Sequence, residues 1–600
     1  MCGFYFHKSN NLQKKNKLFI NLIKEDLSRR GPDNFQYLIK KKVLIAFSRL
    51  SIIDLQKKSN QPFTDSEKNH YLIFNGEIYN FLELKKKLIT EGYKFNTFSD
   101  TEVLYKLLKY KGLEETLKLI RGMFSFIFYD NKKNSFCGAR DHFGQKPFYY
   151  YKNKKEFIGS TNIKSIFRNL KTSQKIISIK ECKHYLCSNG IIKKNSTFFK
   201  SIAVLPAGYY FTYRNNKLNL KRYFSPISLF NKKDYITSKT STENEVLEFL
   251  DQKIFDAVKK HSFSDARMAI TCSGGIDSSL LVYYFKKIKK KIAVFTNVSN
   301  RLEKLSQIVP RIIKINNIKK NKLFFLKQKK KNYLNNLVSL VSESLSPARW
   351  GGGPPMKNLC QFARKKGYKI LLGGDGVDEY FSGYNTFFSS LKNNSPYGLH
   401  KILVLKNKFN ISNKEKKIFY QDIVKSKAKI LKKLSFIKNK KEKKLLVNNF
   451  LDTEFFLQTC TLPHSDEYSM HESIEMRNVY LELDLVRFCL NLHAKFKISK
   501  FNKYKNKYLF RKLAIKKYGN FINKEKEGTR NYSKYISNPT FWNFNKFLIA
   551  KNIKIDNEIS YQDIFKLINL EILQRSILST ITKESMKEIL SPLGRKFLLN

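Results

Sequence analysis

The chain has 600 residues, 42% of them apolar and 14% aromatic, and a formal net charge of +65 at neutral pH. That length exceeds what one core usually supports, so two or more domains are expected, and the apolar content excludes a chain too polar to fold. The charge alone would suggest a polyanionic partner, but lysine is spread along the whole sequence, as in Lys329-Lys330-Lys331-Asn332 and Lys438-Asn439-Lys440-Lys441, which reads as codon bias decorating solvated faces and argues against a nucleic-acid site.

From the start to about Tyr223, short β-type runs alternate with turn residues: Val43 to Ala46, Tyr71 to Phe74, Met123 to Tyr129, Phe148 to Tyr150 and Tyr209 to Tyr213. This predicts a layered α/β domain with much antiparallel sheet. Cysteine stands at position two. Removal of Met1 before so small a residue would expose a thiol and a free α-amine on one framework, and an amine of near-neutral pKa can serve as the thiol's base. No His stands in the Cys/His/Asn or Cys/His/Glu pattern that other thiol amidases need.

Five further segments follow in one order: Arg30-Gly31-Pro32-Asp33, Arg49 to Asp54, Asn75-Gly76-Glu77-Ile78-Tyr79-Asn80, Ser99-Asp100-Thr101-Glu102, and Arg140-Asp141 with Gly144 and Lys146-Pro147. Together they resemble the class II glutamine amidotransferase domain, an N-terminal-nucleophile fold, as found in asparagine synthetases. The resemblance implies that Cys2 attacks the glutamine amide, that Arg49 grips the α-carboxylate and that Asp100 and Glu77 hold the α-ammonium. Asn75, also a glutamine ligand, and the Gly76 backbone N–H would form the oxyanion hole. Taken alone, Arg49 and Asp100 could be surface charges, and Asn75-Gly76 a hairpin turn.

A polar stretch over Asn231 to Glu245 suits a linker, taken as residues 224–244 between a glutaminase domain of residues 2–223 and a second domain of residues 245–600. A helix is predicted from Glu245 to Lys259, with Leu247, Leu250, Ile254 and Val258 facing the core. The run Arg267 to Cys272 then predicts a buried strand ending in Ser273-Gly274-Gly275-Ile276-Asp277-Ser278-Ser279. Strand, glycine turn and helix start present backbone N–H groups to an anion. The loop lacks the spacing and lysine of a Walker A motif. A second strand, Lys369 to Leu372, leads into Gly373-Gly374-Asp375-Gly376-Val377-Asp378-Glu379 and Tyr380-Phe381-Ser382-Gly383-Tyr384.

These two clusters resemble the pyrophosphate loop of ATP-pyrophosphatases and the GDGxDE(x)FxGY signature of asparagine synthetases. The segment Leu462 to Arg477 resembles the same family's helix carrying D-(x)3-M-(x)4-E-x-R, and Lys507 to Arg511 and Lys524 to Gly528 match its K-x-x-L-R and R-x-K-x-G-F elements in spacing. By resemblance, Ser273, Gly274, Gly275, Asp277, Ser278, Val294, Gly373 and Gly374 would bind ATP, and Asp277 and Asp378 would share Mg²⁺. Asp375, Asp466, Glu475 and Arg477 would bind the acceptor, and Lys526 would be the catalytic lysine.

The resemblance thus implies an N-terminal-nucleophile layered α/β domain followed by a parallel-sheet ATP-pyrophosphatase domain of the adenine nucleotide α-hydrolase-like kind. Its chemistry would be glutamine-dependent amidation of aspartate with release of AMP and pyrophosphate, ATP as co-substrate. Departures cluster on the acceptor side. Where the family has an acidic pair shortly after the next strand, Val294 to Asn297 leads into Val298-Ser299-Asn300-Arg301-Leu302; Asn478-Val479 replaces the usual x-Pro, Asn162 replaces a Glu, and Ser346 to Pro355 is an unusual turn-rich loop. They keep open another carboxylate, such as a uronic acid, with Arg349 and Arg530 as grips, and a tRNA-modifying ATP-pyrophosphatase is a further alternative. The eight cysteines form no CxxC, and no apolar stretch is long enough to span a bilayer, so a soluble, cytoplasmic chain with reduced thiols is expected. A homodimer is left open.

Overall fold

The computed structural model describes the chain except for residues 1, 11, 13–16, 41, 189, 290, 299–302, 385–404, 500–505, 524–528, 556–558, 579–582 and 599–600. Eleven strands build two sheets in the first part: β1 (Gly3–Ser9), β2 (Asn34–Lys40), β3 (Val43–Arg49), β4 (His70–Ile78), β5 (Gly122–Asp130), β6 (Ser135–Arg140), β7 (Tyr149–Lys152), β8 (Glu156–Ser160), β9 (Ala203–Val204), β10 (Tyr209–Arg214) and β11 (Lys217–Arg222). Their orders are β2-β3-β1-β8-β7-β9 and β11-β10-β6-β5-β4, antiparallel throughout.

Strand periodicity sorts the side chains into layers. Phe4 and Phe6 of β1, Val43, Ile45 and Phe47 of β3, Tyr71 and Ile73 of β4, and Ile127 and Tyr129 of β5 share one core between the sheets. The alternate residues of the second sheet, Leu72, Phe74, Phe124, Phe126 and Phe128, pack with the helices Phe81–Thr90 and Asp100–Tyr110. Those of the first sheet, Tyr5, Leu44 and Ala46, pack with the helices Lys17–Ser28 and Ile163–Asn169. The result is helix, sheet, sheet, helix, the N-terminal-nucleophile layering. On β4 the inner-face parity of Tyr71 and Ile73 continues to Asn75 and Glu77, so these two polar side chains open between the sheets.

The segment expected as a linker is partly helical: Asn231 caps a helix Lys232–Thr240 that buries Tyr235. The next helix, Glu243–His261, starts two residues before its predicted position because Thr242 and Glu245 form a reciprocal capping box. Five parallel strands follow, β12 (Met268–Thr271), β13 (Val294–Val298), β14 (Leu323–Lys327), β15 (Ile370–Gly373) and β16 (Glu475–Asn478), in the order β14-β13-β12-β15-β16. The chain leaves β12 towards β13 and β14, then returns to the other side for β15 and β16. This puts the switch point of the sheet at the ends of β12 and β15, where open α/β sheets bind ligands.

The segment Leu462 to Arg477, expected as one helix, divides: the helix Leu462–Met470 ends in a turn, and Glu475 to Asn478 pairs with β15 as an edge strand. Ser473 at φ 52° turns the chain there.

Candidate active site

Cys2 is buried at the mouth of the inter-sheet core. Its backbone N–H donates to Asn75 Oδ1 at 3.1 Å, and its Sγ lies 3.9 Å from the Leu50 carbonyl. Burial pushes the thiol up, and Glu475 adds to the rise while Arg49 opposes it. Asn75 and Gly76 sit inside β4, not in a hairpin turn. Gly76 has φ 153°, and a Cβ there would lie 2.0 Å from the Met123 carbonyl oxygen, so only glycine lets β4 pass this close to β5.

Arg49 ends β3, buried. Its terminal nitrogens donate to the carbonyls of Gln56 at 2.9 Å, Ile53 at 3.3 Å and Asp54 at 2.5 Å, and to Asn60 Oδ1 at 2.8 Å. The guanidinium, expected to grip a carboxylate, here closes the loop after β3 upon itself. Asp100 opens the helix Asp100–Tyr110 and accepts from the Ile78 N–H at 2.9 Å, and burial pushes its carboxyl up to about 7. Glu77 is also raised, by burial and then by Glu475.

Asp466 and Arg477, expected with Glu475 at the acceptor, bond across to the glutaminase side. Asp466 takes both terminal nitrogens of Arg30, at 2.8 and 3.2 Å, and Lys146 at 3.5 Å, while Arg30 Nε donates to the Cys2 carbonyl at 3.2 Å. Burial would raise Asp466, but Arg30 and Lys146 hold it below the usual aspartate range. Arg477 Nε donates to Glu475 at 2.6 Å and Nη1 to the carbonyls of His261 and Phe263 at 2.8 and 2.6 Å, and Nη2 lies 3.4 Å from Glu77. Buried carboxylates need buried cations, and here the cations for Asp466 come from the other domain, as does one of the two carboxylates beside Arg477. Glu77 and Glu475 thus flank the Arg477 guanidinium, with Asp100 near them on the Ile78 N–H.

The nucleotide candidates gather at the switch point. Ser273 N–H and Oγ both meet Ser278 Oγ, at 3.1 and 3.2 Å, and Gly275 caps the helix Ile276–Ile288, so the turn exposes backbone N–H groups at a helix start. Gly373 ends β15, and Gly374 follows it against the side chains of Asp277 and Tyr480. Val294 begins β13, fully buried. Asp375 is half-buried in the turn after Gly374. Asp277 and Asp378 converge on one cation, Lys507, whose Nζ is 2.5 Å from the first and 2.6 Å from the second. Asp277 Oδ1 has no hydrogen-bond partner.

Two carboxylates at the switch point are oxygen ligands of the kind Mg²⁺ takes, and Asp277 and Asp378 are the residues that would hold it. Lys507 belongs to a segment matched in the sequence but given no role there; its Lys-x-x-x-Arg spacing was the available signal. Likewise Arg30 and Lys146 stood in matched segments without an assigned partner. Lys526 and Lys524 lie outside the described residues. All eight cysteines are free thiols, and no described helix is long and apolar enough to cross a membrane.

Comparison with known proteins agrees with both halves. Residues 1–224 match a glutamine amidotransferase domain, and residues 250–533 match asparagine synthase. The chain is 32% identical over 419 residues to asparagine synthetase [glutamine-hydrolyzing] 1 of Bacillus subtilis, 67% of this chain and 63% of that one. It is 31% identical over 390 residues to asparagine synthetase [glutamine-hydrolyzing] 2 of the same organism, 62% of this chain and 50% of that one. With asparagine synthetase [glutamine-hydrolyzing] 3 it shares 25% over 522 residues, 82% of this chain and 81% of that one. The chain thus spans less than two thirds of the first two relatives' lengths. Carrying both domains in order, with the Cys2 and pyrophosphate-loop segments in their expected layers, the chain belongs to the glutamine-hydrolysing asparagine synthetase family.

Proposed function

We propose that the chain is a glutamine-dependent asparagine synthetase. The observation that carries the reading is the carboxylate cluster beside Cys2: Glu77 and Glu475 both meet the Arg477 guanidinium, and Asp100 lies close by on the Ile78 N–H. Such a cluster suits a substrate α-ammonium, which would be held within reach of the thiol. With Met1 removed, the α-amine of Cys2 takes the thiol proton, the thiolate attacks the glutamine amide carbon, and Asn75 Nδ2 with the Gly76 N–H receives the oxyanion. Ammonia leaves, and water later releases glutamate from the thioester.

At the second site, the Ser273–Ser279 turn and the helix start behind it hold ATP phosphates, and Mg²⁺ supplies charge neutralisation of the pyrophosphate. The acceptor carboxylate attacks the α-phosphorus, pyrophosphate departs, and ammonia displaces AMP. Met123 and Met470, buried in contact beside Tyr79 where the two domains meet, suit an apolar crossing in which ammonia stays unprotonated. Lys526 keeps its proposed catalytic role, and cytoplasmic placement remains part of this reading.

Aspartate is the proposed acceptor. The uronic-acid reading is weakened at Arg349, whose guanidinium is buried over the Phe198 ring at 4.8 Å and donates to the Gly190 carbonyl at 3.1 Å, a strap between domains. Mass-spectrometric product analysis with glutamine, MgATP and aspartate tests the proposal. Asparagine, AMP and pyrophosphate should appear together. In Cys2→Ala only added ammonia should sustain synthesis. Glutamate release without asparagine would sink aspartate as acceptor.

A further inference from the structure

The residues from Asp378 to Gly383 turn back on themselves beyond β15. The Gly383 N–H donates to the Asp378 carbonyl at 2.8 Å, and the turn is so tight that a Cβ on Gly383 would lie 1.9 Å from Asp378 Oδ1 and 2.3 Å from the Lys507 side chain. Ser382 sits inside the turn at φ 56°, a left-handed value that a residue with a side chain keeps only where its surroundings over-determine it. Asp378 therefore meets Asp277 across Lys507 from a turn that has to be held.

The hold comes from two side chains distant in sequence. Asn449, on the helix Lys440–Leu451, donates from Nδ2 to the Glu379 carbonyl at 2.9 Å and to Ser382 Oγ at 3.0 Å. Lys497, which ends the short helix Ala494–Lys497, donates to the Tyr380 carbonyl at 2.9 Å and to Asn449 Oδ1 at 3.4 Å. Both side chains are fully buried. Among the described residues no carboxylate pairs with Lys497, and burial pulls its ammonium down to about 7. Placing a cation there is costly unless its hydrogen bonds are needed. Removing either side chain leaves a buried carbonyl of the turn without its donor.

We propose that Lys497 and Asn449 are positioning residues for the divalent ion: through the carbonyls of Glu379 and Tyr380 they fix the direction of Asp378, and so set how tightly Asp277 and Asp378 together hold Mg²⁺. The inference rests on reading those two carboxylates as the residues that hold the ion. The two side chains act through the backbone of the turn. Loss of a supporting contact of this kind weakens the hold on a metal while its ligands stay the same.

The test is binding of a non-hydrolysable ATP analogue to the full chain, measured by calorimetry once with Mg²⁺ and once with a chelator. In the unmodified protein Mg²⁺ should tighten the analogue, and Asp378→Asn should lose that gain. Lys497→Met and Asn449→Ala should each lose most of it, a fall of about tenfold or more, with the metal-free affinity unmoved. Lys497→Arg, which keeps a donor for the Tyr380 carbonyl, should recover part. A merely structural role would lower the stoichiometry of binding and leave both affinities where they were. Circular dichroism reports whether each variant is folded, and if Lys497→Met is not, Asn449→Ala decides. A full Mg²⁺ gain in the folded variant, with Asp378→Asn impaired, overturns the positioning role alone. A full gain in Asp378→Asn, or none in the unmodified protein, overturns the ion site and the positioning role with it.

Discussion

On the proposed reading of the Cys2 site, Asp100 makes glutamine capture sensitive to pH. Burial pushes its carboxyl up to about 7, so it is charged above that value and neutral below it. An ammonium binds the charged form, hence KM for glutamine should rise as pH falls through about 7, and Asp100→Asn should flatten that rise. The same substitution should raise KM about tenfold or more, because a hydrogen bond to a charged group is worth roughly 1.5–3 kcal/mol. Steady-state hydrolysis across pH checks both. That Cys2, Asn75, Glu77 and Asp100 gather in one place was legible from their segments, while their roles toward glutamine belong to the proposal. Arg49 proves buried, not a surface charge, and the carbonyls around it belong to the path of the loop after β3, which no residue pattern announces. The cross-domain bonds of Asp466 and Arg477 were not legible because their partners, Arg30, Lys146 and Glu77, are hundreds of residues away in the chain.

At the level of elements, β4 depends on Gly76 and the helix Glu243–His261 on Thr242. Gly76→Ala must displace the Met123 carbonyl or distort the strand, and should destabilise by more than about 1 kcal/mol while abolishing hydrolysis. Thr242→Ala removes half of a capping box and should cost about 1 kcal/mol with hydrolysis retained. Denaturant midpoints separate the two from wild type. The inner strands were readable because apolar residues fill both parities. The edge strand β16 was not: Glu475-Met476-Arg477-Asn478 carries charge at alternate positions, which reads as exposed helix until a second domain covers that face. The helix Lys232–Thr240 was hidden for the converse reason, since its polar composition matches a linker and only Tyr235 and Ser238 are buried.

Across the whole molecule, the two domains are joined by charge as much as by apolar packing. Glu454 receives Lys194 at 2.7 Å and Arg222 at 2.8 Å, and although burial opposes it, these cations bring its carboxyl down to about 2. Asp466 does the same work for Arg30 and Lys146. Asp466→Ala leaves two buried cations without their carboxylate and should cost about 3–5 kcal/mol, read as a fall in unfolding midpoint. Because its folded pKa is depressed, the stability Asp466 contributes is present above the ordinary aspartate range and is lost as pH falls through the folded value. Domain order and layer type were legible from the motifs; the cross-domain pairing was not, because a net charge of +65 hides the few lysines and arginines that are buried.

Lys507 gives the nucleotide site a counterion that cannot be dialysed away. Its ammonium already joins Asp277 to Asp378, so withdrawing a divalent ion does not leave two facing carboxylates to repel each other. Treatment with a chelator should stop amide synthesis yet leave the melting temperature where it was. Lys507→Met should reverse that independence, producing a protein whose melting point climbs when Mg²⁺ is added.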